Sequence, residues 1–302
     1  MKALRIGTRG SPLALWQART VAALLEGQGR ASEICIIRTD GDRLQQVVLS
    51  EAGGKGLFVK EIEDALLAGA IDLAVHSAKD MSATLPDGLG VLAVLPREDS
   101  RDALVLPQGR TALAENPRIG TGSVRRSAQL CRRYPDARFL PIRGNVDTRL
   151  RKVDEGEYDA LVLAVAGLKR LGYEGRIWVR IPHDECVPAP GQGIVAVEAR
   201  LGDADLAAAL GSINHGETAA CFEAERAVVS ALGGGCQLPL GAVAVHAGDR
   251  LEMQGIVASP DGARHVRARA EGDASQPAEL GAQLAAALAA AGAIAILNEV
   301  RD

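Results

Sequence analysis

The first half of the chain alternates between two spacings of hydrophobic residues. Short apolar runs typical of strands lie at residues 3–9, 33–39, 71–80 and 90–96. Between them, residues 11–27 and 58–69 carry apolar positions every three or four residues, which predicts amphipathic helices. Ser11 and Pro12 suit the N-cap and the first turn of the earlier helix. This β-α-β order predicts a mainly parallel sheet covered by helices on both faces.

Two sequence echoes indicate that this design occurs twice. The stretch RIGT stands at 5–8 and again at 118–121, each time followed by a serine and a predicted helix. AGAIDLAVHSAKDM (68–81) resembles EGEYDALVLAVAGLKRL (155–171), since in both a glycine lies three residues before the aspartate that opens an apolar strand. We therefore expect two similar α/β lobes, with a ligand cleft at the carboxyl ends of their strands.

The chain is expected to form three parts. After the Pro/Gly-rich stretch VPAPGQG, a strand within 187–200 returns the chain to the first lobe. Beyond it, a helix over 217–235, short strands with turns at 247–249 and 260–262, and an Ala-rich helix predict a small α+β domain. The predicted division is 1–98 with 193–213 for lobe 1, 99–192 for lobe 2 and 214–302 for the C-terminal domain.

The composition is that of an ordinary globular protein. The 302 residues are 47% hydrophobic and 24% charged, with a net charge of −4. No apolar run reaches the roughly 18–20 residues of a membrane helix, and the start MKALRIGTRG lacks the apolar core of a secretory signal. These features predict a cytoplasmic protein without a membrane partner. The five cysteines include no C-x-x-C pair, which disfavours a zinc site and a disulfide framework.

Basic residues are concentrated in the first 180 positions. Of the 34 lysines and arginines, 27 lie at or before Arg180, and residues 117–151 hold nine arginines against two aspartates. Arginine outnumbers lysine 28 to 6. Because a guanidinium group grips carboxylate or phosphate through two parallel hydrogen bonds, this half is expected to face an anion or to pair internally.

Four sequence elements are candidates for binding that anion. The predicted helix starts IGTRGS and IGTGSVRR place unbonded backbone N–H groups beside arginines. PIRGNVDTRLRK (141–152) closes a predicted strand at Arg143 and offers Asn145 as a helix cap, although a solvated basic helix is the simpler alternative. EAGGKGLFVKE (51–61) surrounds Lys55 with glycines, as a mobile flap or a plain linker would.

Two further positions differ from their surroundings. In IDLAVHSAKD (71–80) an apolar strand ends in Lys79 and Asp80, which by default is a solvated strand end. In LGGGCQLPLGA (232–242) Cys236 follows three glycines, where packing does not require a thiol. A reactive or modified cysteine is therefore the alternative to a merely exposed one.

Taken in order, these stretches resemble the porphobilinogen deaminase (hydroxymethylbilane synthase) family nearly from end to end. The matching stretches are IGTRGSPLALWQA, GGKGLFVKE, DLAVHSAKD, IGTGSVRRSAQL, IRGNVDTRL, LAVAGLKRLG, PAPGQG and GGGCQLPLGA. The resemblance implies two lobes like those of periplasmic binding proteins and a third domain that bears a cysteine. It also implies a cytoplasmic, monomeric transferase of tetrapyrrole and haem biosynthesis.

In that family the cysteine carries a covalent dipyrromethane, which by resemblance sits on Cys236. Members of the family add four porphobilinogen molecules head to tail to this primer with loss of ammonia, and then release the linear tetrapyrrole by hydrolysis. Because each pyrrole bears an acetate and a propionate, an arginine-lined cleft suits the growing polyanion. By resemblance the site is lined by Arg9, Ser11, Lys55, Ser77, Lys79, Thr121, Ser123, Arg125, Arg126, Arg143, Arg149, Arg170 and Gln192.

Asp80 matches the family's catalytic aspartate. An isolated carboxylate among arginines would stabilise the positive charge that develops during deamination and coupling, and could carry a proton. Lys79 beside it is expected to pair with a substrate carboxylate. The chain departs from the family at Ala78, where methionine is frequent, and at Gly122, where a second serine is common. Both departures concern packing or one hydrogen bond.

Two other classes of protein are alternatives. A solute-binding protein would share the two-lobed plan, but it would need export and would leave Cys236 without a role. A nucleic-acid binder would suit the nine arginines, but it is expected to have a basic pI and aromatic stacking groups. The pI is about 5.8 and aromatic residues make up 3%. The predicted partner is therefore the small molecule porphobilinogen and not a nucleic acid, and no metal is predicted.

Overall fold

The computed structural model describes residues 3–39, 59–233 and 238–301. By its internal contacts the chain divides into unit 1, Met1–Glu98 with Ile194–Ala219, and unit 2, Asp99–Gly193 with Ala220–Asp302. The three-part division stays a prediction, because lobe 2 and the predicted C-terminal domain both fall largely in unit 2. Lys55 and Cys236 lie outside the described residues.

The described residues contain strands and α-helices in the following order. The strands are β1 Leu4–Thr8, β2 Ser32–Ile36, β3 Leu73–Ser77, β4 Leu89–Val94, β5 Asp102–Val105, β6 Arg118–Gly120, β7 Arg138–Leu140, β8 Ala160–Ala164, β9 Val179–Ile181, β10 Val195–Arg200, β11 Leu240–Ala247, β12 Arg250–Ala258 and β13 His265–Asp273. The helices are α1 Pro12–Glu26, α2 Lys60–Leu67, α3 Val124–Leu130, α4 Val146–Asp154, α5 Val165–Arg170, α6 Ala204–Gly211, α7 Gly216–Ala231, α8 Pro277–Ala290 and α9 Ala293–Arg301. Short 3-10 turns cover Ala78–Asp80 and Glu174–Arg176.

Helix α1 shows how local sequence fixes an element. The Ser11 side chain accepts a hydrogen bond from the Ala14 N–H at 3.3 Å, and Pro12 supplies the first turn with a residue that needs no N–H partner. The buried positions are Gln17, Ala18, Val21 and Leu25, which recur at the three- and four-residue spacing of one helix face. The predicted start of this helix is confirmed.

Both five-stranded sheets confirm the expectation of mainly parallel sheets, since four strands in each run in one direction and a single strand opposes them. In unit 1 the order is β2-β1-β3-β10-β4, and β10 runs antiparallel to both of its neighbours. In unit 2 the order is β7-β6-β8-β5-β9, and β5 is antiparallel to both neighbours in the same way. The remaining pairs are parallel. An apolar strand has the same pattern in either direction, so only the route of the chain decides this point.

The two sequence echoes fall on equivalent strands and have a shared structural cause. In unit 1 the Asp72 carboxylate accepts from the Arg5 backbone N–H at 2.8 Å and from its guanidinium at 2.8 and 3.0 Å, while Arg5 also donates to the Gly69 carbonyl at 2.8 Å. In unit 2 Arg118 makes the same bonds with Asp159 and Gly156, at 2.8 to 3.1 Å. The repeated arginine, glycine and aspartate therefore fix one strand to the next in both units.

Strand β10 confirms the predicted return of the chain to the first sheet. After residues 99–193, which belong to unit 2, the chain re-enters unit 1 at Ile194. Strand β10 then fills the space between β3 and β4, and its residues Val195 and Val197 join the apolar core of that sheet.

The remainder of unit 2 is a small α+β assembly. Strands β11, β12 and β13 form an antiparallel sheet in that order, and the predicted turns at 247–249 and 260–262 connect them. Leu280, Leu284 and Leu288 of α8 pack in one buried cluster with residues of α7, α9 and this sheet. Within the described ranges no single helix has the length and hydropathy to cross a membrane; α8 with Ala293–Val300 passes only as a pair bent by 82°.

Candidate functional site

In unit 1 the candidate site lies at the carboxyl end of β3. The strand is buried through His76, and the chain then turns tightly over Ala78–Asp80. The Ala78 N–H donates to the Ile194 carbonyl at 3.0 Å, and the Met81 N–H closes the turn on the Ala78 carbonyl at 3.2 Å. The buried strand therefore presents Lys79 and Asp80 on a short, bonded turn.

The Asp80 carboxylate is half-buried and carries no internal bond. Among residues 3–39, 59–233 and 238–301 it has neither a hydrogen-bond donor nor an ion-pair partner. Lys79 is half-buried as well. A carboxylate that stabilises no part of the described fold is available to a ligand.

Helix α1 contributes a side chain to the same strand end. Gln17, which is 1% exposed, donates to Ser77 Oγ at 2.9 Å, and Ser77 Oγ lies 3.3 Å from Gln17 Oε1. Arg9 and Ser11 lie just before this helix and are both half-buried. The structure thus bonds the start of the chain to the strand that leads to Asp80.

In unit 2 the predicted residues Arg125 and Arg126 share one buried carboxylate. Arg125 donates to Asp102 Oδ2 at 2.8 Å, and Arg126 donates twice to Asp102 Oδ1, at 2.7 and 3.0 Å. Asp102 is fully buried, and the two arginines are 4% and 7% exposed. Burial alone would raise the pKa of Asp102, but the charges of both guanidinium groups overcome that effect and hold its pKa well below the usual range. For these two arginines internal pairing is observed, and contact with a substrate carboxylate stays a prediction.

The stretch Cys186–Gly193, called the Pro/Gly segment below, joins this cluster. Gln192 donates to Asp102 Oδ1 at 2.9 Å and to the Ser100 carbonyl at 2.7 Å. Arg170 donates to the Gly193 carbonyl at 2.7 Å. Four predicted site residues, Arg125, Arg126, Arg170 and Gln192, are thereby brought together around Asp102 and this segment.

The start of α3 carries two more predicted residues. Thr121 is 6% exposed, and its Oγ1 accepts from the Ser123 N–H at 3.2 Å. The Ser123 side chain makes no capping bond to the helix. At Gly122 a Cβ atom would lie 2.9 Å from the Ile142 carbonyl oxygen, so a serine there would require the backbone to shift. The departure from the family at this position thus fits a closer approach of two backbones.

Arg143 lies in a loop three residues beyond β7, and does not close that strand as predicted. The side chain is half-buried, has no acceptor in the described part of the chain, and burial lowers its pKa. Asn145 makes no side-chain cap bond to α4; instead Arg149 Nε donates to the Gly144 carbonyl at 2.7 Å. Gly144 has a φ of 109°, which explains why a glycine stands here. Arg143 is a half-buried cation that an anionic ligand would satisfy.

Beneath the β3 strand end lies a buried group of ionisable side chains. His76 Nε2 is 3.0 Å from Glu198 Oε2 of β10, and Glu63 of α2 is 7% exposed beside them. Burial first, and then the charge of Glu198, raises the pKa of Glu63 to about 7. The contact between His76 and Glu198 does not have hydrogen-bond geometry, so Glu63 Oε1 and both Glu198 oxygens have no hydrogen-bond partner among the described residues.

The cysteines differ in exposure. Cys186 and Cys221 are buried, as expected for small hydrophobic residues, whereas Cys35 and Cys131 are partly exposed. Burial raises the pKa of the Cys186 thiol to about 12, so this cysteine is unsuited to be a nucleophile. In the described ranges no group of three or more His, Cys, Asp or Glu side chains has the geometry of a metal site.

Sequence reasoning did not find Asp102, Gln17 or Glu225. Asp102 opens an apolar strand and looks like an ordinary solvated strand end, while Gln17 and Glu225 look like polar positions on helices. Each becomes significant only through a partner distant in sequence. For Gln17 that partner is Ser77, and for Asp102 it is the arginine pair.

These features define an α/β protein with arginines and one isolated aspartate near its strand ends. Residues 4–208 match the family model described as "Porphobilinogen deaminase, dipyromethane cofactor binding domain", and residues 219–290 match "Porphobilinogen deaminase, C-terminal domain". The porphobilinogen deaminase of Acidithiobacillus ferrooxidans is 50% identical over 303 residues, covering 99% of this chain and 98% of that protein. That of Trichlorobacter lovleyi is 46% identical over 302 residues, covering 99% and 97%.

The chain belongs to the porphobilinogen deaminase family and is an enzyme. The resemblance seen in its motifs is thereby confirmed. Among solved structures it is similar to the periplasmic VFT2 domain of Bordetella pertussis BvgS, with a TM-score of 0.41 and 17% identity, covering 70% of this chain and 86% of that one.

Proposed function

We propose that this enzyme is a hydroxymethylbilane synthase that joins four porphobilinogen molecules head to tail and releases the linear tetrapyrrole by hydrolysis. In each addition a carbon–carbon bond forms between a pyrrole α-carbon and the aminomethyl carbon of porphobilinogen. The carbon–nitrogen bond of that aminomethyl group breaks, ammonia leaves, and the α-hydrogen is lost as a proton. The family match over 4–208 and the identity to named porphobilinogen deaminases support this assignment.

The observation that carries the proposal is the unpaired carboxylate of Asp80. A buried strand delivers it to a bonded turn, and nothing in the described part of the chain neutralises it. We propose that this carboxylate accepts the pyrrole N–H and stabilises the positive charge that develops on the ring. Such a group has to be close to the reacting atoms and unpaired before substrate arrives, and Asp80 meets the second condition among the described residues.

The donors present suit a dipyrromethane attached through Cys236. When bound, this group supplies the nucleophilic pyrrole carbon to which the first porphobilinogen is joined. Its carboxylates require cations, and Arg143 is a half-buried guanidinium without an acceptor among the described residues. We assign carboxylate binding to Arg143 together with Arg9, Ser11, Lys55, Ser77, Lys79, Thr121, Ser123, Arg149 and Arg170.

Arg125, Arg126 and Gln192 have a different part in the proposal. Two guanidinium groups around one aspartate leave a net positive charge close to the start of α3. We propose that this charge attracts the substrate's carboxylates, while Asp102 and Gln192 hold the guanidinium planes in place. By family resemblance the enzyme is proposed to act as a cytoplasmic monomer.

Intact-mass spectrometry of the purified protein tests the proposal. We expect the wild-type chain to carry the added mass of two linked pyrroles, and Cys236→Ser to carry none and to be inactive. Cys131→Ser is the matched control, because Cys131 is a partly exposed cysteine outside the proposed site, and it is expected to keep both the mass and the activity. An active wild-type chain without the added mass would show that the proposed primer is wrong.

A further inference from the structure

The Pro/Gly segment is bonded on one side to the arginine helix α3. The Val187 N–H donates to Gln129 Oε1 at 2.8 Å. Its carbonyl accepts from Arg125 at 2.7 Å and from Gln129 at 3.1 Å. Together with the bond from Gln192 to Asp102, these contacts fix the segment to the buried arginine pair.

On its other side the segment covers the edge of the antiparallel sheet. Strand β11 is an edge strand, so its outward N–H groups need partners. The Ala242 N–H donates to the Pro188 carbonyl at 3.0 Å. At Gly241 a Cβ atom would lie 2.7 Å from the Val187 carbonyl oxygen, so the two backbones approach as closely as glycine permits.

The side chain of Glu225, on helix α7, completes this junction. Oε2 accepts from the Gly191 N–H at 2.6 Å, and Oε1 accepts from the Ala244 N–H at 2.8 Å. The residue is 0% exposed. Burying a carboxylate is costly unless it is strongly hydrogen-bonded, and here two backbone groups on different segments supply such bonds.

Cys236 lies in sequence between the two elements that Glu225 joins. Helix α7 ends at Ala231 and strand β11 begins at Leu240. One carboxylate therefore connects both elements that flank Cys236 with the segment that bonds to the arginine pair.

We propose that Glu225 is a positioning residue for the coupling reaction. By fixing helix α7, strand β11 and the Pro/Gly segment to one another, it keeps the two elements that flank Cys236 in sequence in a constant relation to Arg125 and Arg126. This inference rests on the proposed function, because it needs Cys236 to bear the primer. A loss of positioning far from the reacting atoms lowers the rate without removing any reacting group.

Glu225→Gln tests the inference, with Glu223→Gln as the matched control. The glutamine side chain keeps the shape of glutamate. However, its NH₂ group faces one of the two backbone N–H donors and cannot accept a hydrogen bond from it. Glu223 lies on the same helix and is exposed, so its replacement changes the net charge equally without touching the junction.

Three measurements are compared between these variants and the wild type. Native-state hydrogen exchange at Gly191 and Ala244 is expected to rise about tenfold or more in Glu225→Gln only. The turnover number per primer-bearing chain, counted by intact mass and assayed well below the unfolding midpoint, is expected to fall about tenfold or more. A purely structural role would lower the unfolding midpoint and leave turnover per loaded, folded chain unchanged, and that result would overturn the inference.

Glu225→Asp covers the case in which Glu225→Gln does not fold. It keeps the charge, but the side chain is shorter by one methylene group, so both oxygens lie further from their donors. We expect faster hydrogen exchange at Gly191 and Ala244 and a lower turnover number, as for Glu225→Gln. If both Glu225 variants match Glu223→Gln while the wild type carries its primer, the positioning role is wrong and the proposed function stands. If the wild type itself carries no primer, both are wrong.

Discussion

At the scale of single residues, acidic side chains near the strand ends have very different environments. Asp102 is fully buried between two guanidinium groups and is part of the fold. Asp80 is half-buried and has no partner among the described residues. A carboxylate that is bonded internally is costly to remove, whereas one that is not can be replaced with little effect on stability. This contrast separates an aspartate that stabilises the fold from one that is proposed to act on the substrate.

For Asp80→Asn we expect an unchanged unfolding midpoint and a turnover number lowered by about 10² to 10⁴, the usual range for loss of a charged catalytic group. Steady-state kinetics and thermal unfolding measure the two effects. Asp87→Asn is the control, since Asp87 is an exposed aspartate seven residues further along the chain. Near-normal turnover in Asp80→Asn would remove Asp80 from the mechanism.

Glu63 predicts a pH dependence of stability. Its pKa is raised to about 7 in the folded chain from an ordinary 4.5, so the folded state keeps a proton that the unfolded state releases above pH 4.5. The stabilisation is complete below the unfolded pKa and is lost as the pH rises through about 7. Between these limits the wild type is expected to lose roughly 3 kcal/mol relative to Glu63→Gln.

Urea unfolding of both proteins at pH 5 and pH 8 measures this difference. Comparing the two pH values removes any pH-independent effect of the glutamine substitution on the free energy of unfolding. Glu33→Gln, an exposed change of the same kind, is expected to show no such difference. A Glu63→Gln protein that keeps the wild-type pH profile would contradict the assignment.

At the scale of elements, the same arginine–aspartate hydrogen-bonding arrangement between two neighbouring strands occurs in both units. An arginine at the start of a strand binds, through both its backbone and its guanidinium, an aspartate at the start of the neighbouring strand. It also binds the carbonyl of a glycine three residues before that aspartate. The glycines, Gly69 and Gly156, have φ values of 66° and 82°, a backbone conformation that other residues adopt only at a cost. The sequence repeat therefore reflects a shared set of hydrogen bonds that joins two neighbouring strands in each unit.

Weakening the hydrogen bonds between Arg5 and Asp72 is expected to destabilise unit 1. In Asp72→Asn the bonds from Arg5 lose their charged acceptor, and we expect a loss of about 1–3 kcal/mol in the free energy of unfolding. Urea denaturation measures it. Asp64→Asn, an exposed change on α2, is expected to cost less than about 0.5 kcal/mol. If Asp72→Asn and Asp64→Asn lower the free energy of unfolding equally, the bonds between Arg5 and Asp72 do not stabilise unit 1 as proposed.

At the scale of the whole molecule, positive charge is concentrated in one part of a chain that is negative overall. The net charge is −4, although residues 117–151 carry an excess of seven positive charges. Part of this excess is paired internally, as Arg125, Arg126 and Arg118 show. The part that is not paired is proposed to bind the carboxylates of the substrate.

This distribution predicts a salt dependence. Raising the ionic strength from about 0.05 to about 0.5 M shortens the screening length severalfold, so the KM for porphobilinogen is expected to rise several-fold while kcat changes less. Steady-state kinetics in NaCl tests this, with an uncharged osmolyte as the control for viscosity and water activity. A KM that is independent of salt would speak against carboxylate binding by exposed cations.

Much of the fold and part of the candidate site could be predicted from local sequence. Ser11 and Pro12 begin a helix where expected, because capping depends on neighbouring residues only. The apolar runs became strands, and the repeated RIGT stretches fell on equivalent positions of two sheets. The family motifs identified the family, since eight ordered stretches constrain a sequence strongly.

The tertiary structure alone decided strand direction and the partners of buried charges. Nothing in the apolar run of β10 reveals that it lies antiparallel between β3 and β4. Likewise Arg125 and Arg126 differ from Arg143 only in what packs around them: the first two meet Asp102, and Arg143 meets no acceptor among the described residues. Local sequence sets conformational preference and amphipathic pattern, whereas pairing of buried ions depends on distances between segments far apart in the chain, which only folding brings together.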